Sequence, residues 1–179
     1  LEDCGKNIPP EQVTMGQCFL EHGYHSMGIG KWHNGVESYI RSFDDGDNIF
    51  FGGMWDHWNV PVNDFRADGN YEKEIWFTPN FTANENPVAV RAEKIYAGVH
   101  STDLFSGSAV RYIQEYQDDK PFFLYLSFLA PHDPRTMPEE FRTMYDPEKI
   151  SLPPNYQPMP SFSCGWASKG RDENTEAYP

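Results

Sequence analysis

Residues 122–130 read Phe-Phe-Leu-Tyr-Leu-Ser-Phe-Leu-Ala, and this run constrains the fold more than any other feature of the chain. A near-continuous apolar stretch of that length is too short for a membrane span and too uniform for a half-exposed strand. It fits a strand buried on both faces, as in a parallel sheet covered by helices. The flanks agree. Asp118-Asp119-Lys120-Pro121 makes a turn before it, and Ser101, Thr102 and Asp103 can cap a helix with Phe105, Ala109, Tyr112, Ile113 and Tyr116 along one face. Directly after the run comes Pro131-His132-Asp133-Pro134.

A second helix-to-strand unit stands near the start. Pro9-Pro10, an early acid and Gly23 bracket a helix over residues 11–22, with Val13, Gly16, Gln17 and Leu20 on one face and Cys18 and Phe19 widening it. Residues 24–30, small and apolar, then form a strand, so Lys31, Trp32 and His33 leave it at the carboxyl end. Between the two units, residues 36–100 read as irregular and rich in aromatics, with a hairpin turning at Asp68-Gly69. After Pro134 the chain is punctuated by proline and offers no clear element. No internal repeat is visible. With 15 Pro, 14 Gly and 16% aromatic residues among 179, the expected fold is α/β: a mainly parallel sheet flanked by helices and joined by long ordered loops.

Open α/β sheets bind ligands outside the carboxyl ends of their strands. Lys31, His33 and His132 therefore stand where such a sheet builds a site. A lysine between glycines is a compact cation, and two imidazoles can donate hydrogen bonds or move a proton, a set that suits an oxyanion such as sulfate or phosphate. None of them is a nucleophile. His57, in Met-Trp-Asp-His-Trp, reads as packing; His22 ends a helix, His25 lies in a strand and His100 in a helix approach. Trp55, Trp58 and Trp76 are read as core residues rather than sugar platforms. Cys4, Cys18 and Cys164 show neither CxxC nor zinc spacing, and Cys18 is expected to be a small buried hydrophobe. The net charge of -13 argues against nucleic acid or anionic membrane as a partner. No apolar run reaches the length of a transmembrane helix. No charged-then-apolar leader opens at Leu1, and Asn80-Phe81-Thr82 fits a glycosylation sequon.

Two segments carry a family resemblance. "EHGYHSMGIGKWHNG" resembles the sulfatase segment in which a strand closes on Gly-Lys-Trp-His, and "DKPFFLYLSFLAPHDPRTMPEEF" resembles the later strand ending in Ala-Pro-His-x-Pro. "SFDDGDNIFFGG" is similar to the intervening phenylalanine-glycine stretch, so the resemblance spans residues 8–160. It implies an alkaline-phosphatase-like sandwich around a large mixed sheet, and a sulfuric ester hydrolase acting on a sulfated carbohydrate. Position by position, it implies that Lys31 contacts the sulfate and the nucleophile, that His33 hydrogen-bonds the nucleophile and serves as base in sulfate release, and that His132 contacts the ester near the leaving oxygen.

The family nucleophile is a formylglycine made from the cysteine of Cys-x-Pro/Ala-x-Arg. None of the three cysteines here stands in that motif. The family's calcium ligands also fall outside the aligned stretch. The expectation is therefore an interior part of a sulfatase catalytic domain, residues 1–179, inactive by itself. It would comprise a helix-strand unit (8–40), an aromatic insertion (41–100), a second helix-strand unit (101–135) and a truncated remainder (136–179). Formylglycine and calcium belong to the intact protein, which is expected in the periplasm or outside the cell. A phosphodiesterase or phosphonate hydrolase of the same superfamily, and a non-catalytic sulfate- or glycan-binding relative, are the alternative readings.

Overall fold

A computed structural model describes residues 7–77, 88–132 and 134–156. The chain divides into two units, residues 1–134 and 135–179. The first runs α1 (Met15–Glu21), β1 (His25–Trp32), α2 (Val36–Ser42), β2 (Asp45–Phe51), β3 (Pro61–Val62), β4 (Glu74–Phe77), β5 (Val88–Arg91), β6 (Lys94–Ile95), α3 (Ser101–Glu115) and β7 (Phe122–Ser127). The second holds a single-turn helix, α4 (Glu139–Arg142), and a 3-10 turn at Pro147–Lys149.

The expected α/β class holds. β1 is central in a three-stranded sheet of order β2-β1-β7, and it runs parallel to both neighbours, with Gly28 opposite Gly46 on one side and Tyr125 on the other. Each face has its own apolar cluster. Met27, Ile29 and Phe50 pack with Phe105 and Ala109 of α3 and with Leu129; Trp32 and Ile49 pack with Tyr39 of α2 and Phe43 at its end. Phe19 of α1 stacks on Phe123 at 4.4 Å and extends that second layer.

Two glycines make this packing possible. Tyr39 Oη donates to the Gly28 carbonyl at 2.8 Å from so close that a Cβ on Gly28 would overlap the ring. Gly30 has φ of +86°, and a side chain there would strike the Ser127 carbonyl and Phe105. At that point the β1–β2 register slips by one residue: Ile29 faces Asp47 but Gly30 faces Ile49. Asn48 is the extra residue, with φ of +47°, and its amide donates to Ser108 Oγ of α3 at 2.8 Å.

Several expectations are corrected. α1 starts at Met15 rather than at residue 11, because Thr14 takes the cap position, its hydroxyl accepting from Gln17 N at 3.2 Å, while residues 9–12 form a turn. Val13 thus lies outside the helix, 62% exposed, and Cys18 is exposed rather than buried. On α3, Phe105 and Ala109 are buried as expected but Ile113 is exposed. The stretch expected to be irregular contains both α2 and β2. Asp68-Gly69 does form a turn, with Gly69 at φ +69° and Asn70 N donating to Asp68 Oδ1 at 3.0 Å. Yet β4 pairs with β5, Ile75 opposite Val90, so the hairpin is not the one expected. β7 is only half-buried, having β1 on one side; β1, buried from Ser26 to Gly30, takes the doubly covered place. Trp76 is 70% exposed and does not pack in the core, whereas Trp55 packs against the α3-side cluster. The sequon, Cys4 and Cys164 lie outside the described residues.

Candidate functional site

Trp32 is the anchor of the β1 terminus. Its indole N–H donates to Gly35 O at 2.8 Å and lies 3.0 Å from Ser38 Oγ, and its ring meets Tyr39, Phe43 and Tyr125 edge-on. Alternation along a strand then turns Lys31 to the other face, and its charge acts on His57, whose ring bonds Ser101 at the start of α3. His33 follows directly and packs on Gly53, where a Cβ would run into the imidazole. Burial, and then the neighbouring Lys31 charge, lower the His33 pKa below its usual 6.5. At neutral pH this ring is neutral and can accept a proton.

His132 arrives from β7. Beyond Ser127 the chain buries Leu129, passes through a cis Ala130–Pro131 bond and turns, with His132 N donating to Leu129 O at 2.9 Å. β7 is parallel to β1 and pairs as far as Ser127 opposite Gly30, so this turn lies at the same end of the sheet as Lys31 and His33.

His57 ties the two strand ends together, and reading it as packing captures only half of what it does. It is buried, 1% exposed, and its ring is stacked 5.3 Å from that of His100. Nε2 lies 3.0 Å from the His132 carbonyl oxygen and Nδ1 lies 3.2 Å from Ser101 Oγ. Its pKa is lowered, chiefly by burial, with the charges of His100 and Lys31 acting in the same direction. The loop holding it is closed by Asp56, which accepts from Trp58 N at 3.0 Å and from Asn59 Nδ2 at 2.6 Å. His100 caps α3 by accepting from Thr102 N at 3.3 Å. The structure thus gathers Lys31, His33 and the His132 turn at one sheet end, and places His22 and His25 elsewhere, at the end of α1 and the start of β1. Among the described residues no group of three or more His, Cys, Asp or Glu side chains is placed to hold a metal ion.

Comparison with known proteins agrees on one family. The sulfatase family model matches residues 2–172. The ulvan-active sulfatase of Formosa agariphila is 28% identical over 153 residues, which make up 84% of this chain and 26% of that protein. The uncharacterized sulfatase YidJ of Escherichia coli is 32% identical over 149 residues, 79% of this chain and 26% of the relative. An N-acetylglucosamine-6-O-sulfatase of Bacteroides thetaiotaomicron is 25% identical over 122 residues, 68% of this chain and 17% of the relative. The chain therefore spans about a quarter or less of the length of these relatives. A solved structure of Ps i-CgsB in complex with k-i-k-neocarrahexaose aligns with a TM-score of 0.49 at 20% identity, covering 82% of this chain and 34% of that one.

Proposed function

The chain belongs to the sulfatase family, and from that premise we propose that Lys31, His33 and His132 form part of the site of a sulfuric ester hydrolase. The observation that carries the reading is the convergence of a cation, a histidine with lowered pKa and the His132 turn at the carboxyl end of two parallel strands. A sulfate monoester presents anionic oxygens and a bridging oxygen that gains charge as the S–O bond to the alcohol breaks. Lys31 binds the anionic oxygens as a point charge, and the His132 imidazole donates a hydrogen bond to the departing oxygen. His33, held neutral, takes up a proton in the step that frees sulfate.

Formylglycine and calcium are proposed for the whole protein. The sequence holds no Cys-x-Pro/Ala-x-Arg stretch, and the described residues do not gather a calcium ligand set. The 179 residues by themselves are accordingly expected to turn over no sulfate ester above a His33→Ala variant. The names of two relatives, one active on ulvan and one a hexosamine sulfatase, support a sulfated carbohydrate as substrate. We place the whole protein in the periplasm or outside the cell on the family expectation.

The test is an assay of the protein expressed from its complete reading frame, with 4-nitrophenyl sulfate, sulfated oligosaccharides and bis(4-nitrophenyl) phosphate side by side. Sulfate esters should be hydrolysed in preference, and His33→Ala should lower kcat/KM by about 100-fold or more. Preference for the phosphodiester would transfer the site to the phosphoester hydrolases. Sulfate binding without any turnover would make it a binding protein.

A further inference from the structure

Why a histidine rather than a phenylalanine fills the buried position 57 follows from what its two nitrogens touch. The His132 carbonyl oxygen can only accept, so Nε2, 3.0 Å away, carries the hydrogen. In a neutral ring Nδ1 then holds the lone pair and accepts from the Ser101 hydroxyl at 3.2 Å. The backbone repeats the connection, since Ser101 N donates to the His57 carbonyl at 2.7 Å. One ring thus joins the loop after β2, the first residue of α3 and the turn after β7, segments 44 and 75 residues away in sequence. With 1% of its surface exposed it has no route to a substrate. Its position nevertheless bears on the reacting groups.

We propose that His57 is a positioning residue: its ring fixes the turn that carries His132 against the start of α3, and so sets where the His132 imidazole stands relative to Lys31. The proposal rests on the assignment of His132 made above. An apolar side chain of similar volume would fill the space but leave the His132 carbonyl and the Ser101 hydroxyl without this partner, and the turn would be free to shift. A displacement of about 1 Å at a reacting group is enough to lower a rate by about 100-fold. Burial pushes the His57 pKa down, against the raising effect of its bond to the His132 carbonyl, and so favours the neutral Nε2–H ring that this geometry requires.

His57→Phe and His57→Gln separate positioning from mere filling, since the glutamine amide can still donate to the carbonyl. In the 179-residue chain, imidazole nitrogen NMR should show His57 as the Nε2–H tautomer. His57→Phe should shift the His132 ring signals while leaving those of His25, at the far end of β1, in place. In the protein from its complete reading frame, His57→Phe should lower kcat on 4-nitrophenyl sulfate by about 100-fold with KM little changed, and His57→Gln should recover most of it. A wild-type Nδ1–H tautomer, unmoved His132 signals, or equal impairment by both variants would each overturn the proposal. If His57→Phe does not fold, the wild-type tautomer and the His57→Gln kinetics decide. A wild-type protein with no turnover would count against the sulfatase reading alone, because the tautomer and the His132 signals would still judge His57.

Discussion

At the scale of single residues the site is a matter of which imidazoles stay neutral. His33 is lowered first by burial and then by Lys31, so Lys31→Met should raise the His33 pKa toward 6.5, and titration of its ring signals by NMR measures this directly. An unchanged His33 titration would mean that the two side chains do not sense each other. The same shift has a sign for stability. A histidine with a lower pKa folded than unfolded leaves the unfolded chain with more bound protons below about pH 6.5, so the fold gains stability as pH rises through that window. Gly53 is the silent partner of His33: Gly53→Ala must push the ring aside, and kcat/KM should fall by about 10-fold or more while the thermal midpoint moves little. Lys31, His33 and His132 could be singled out because strand ends are legible, although β1 runs on to Trp32 and so takes in Lys31, where the strand was expected to stop at Gly30. Gly53 and the bonds of His57 were not, since their roles depend on contacts with side chains and carbonyls far along the chain that no local pattern announces.

Elements were legible in proportion to their periodicity. α3, with its cap and apolar face, and β7, with its unbroken apolar run, were readable; β2 was not. Its acidic start and the extra residue at Asn48 break the alternation that marks a strand, and that same irregularity lets Asn48 reach Ser108 on α3. α2 has only seven residues and a glycine cap without a side-chain bond, too little for a local signal. The Asp68-Gly69 turn was correctly read as a turn but given the wrong strands, because β5, the true partner of β4, lies on the other side of residues 78–87. Around β3 and β6 the fastening is ionic. Glu93 accepts from Arg66 Nε at 3.1 Å and from Asp64 N at 3.0 Å and lies 3.4 Å from Lys73 Nζ. The Arg66 hydrogen bonds lead in holding its pKa at about 2. A carboxylate lowered in this way contributes stability that is complete above the unfolded value of 4.5 and is lost as pH falls toward 2. Glu93→Gln should therefore lower the unfolding free energy at neutral pH and flatten its fall in acid, as denaturant titrations across that range would show. An acid profile identical to wild type would remove Glu93 from this role.

For the molecule as a whole, the parallel order β2-β1-β7 has one functional consequence: it brings residues a hundred positions apart, Lys31 and His132, to one end of one sheet. Composition argued against nucleic acid or anionic membrane as partners but named no chemistry. The strand ends suggested an oxyanion, and the family resemblance, borne out by a family-model match over residues 2–172, is the ground for proposing a sulfate ester. Identity of about a quarter to a third, over about a quarter of each relative's length, leaves the particular ester to experiment. The most direct test of the central claim is to titrate inorganic sulfate into the chain and follow the ring signals of all its histidines by NMR. The account predicts that His33 and His132 shift together in a saturable way, that His22 and His25 do not, and that Lys31→Ala abolishes the response. No saturable shift, or a response that survives the loss of Lys31, would contradict it.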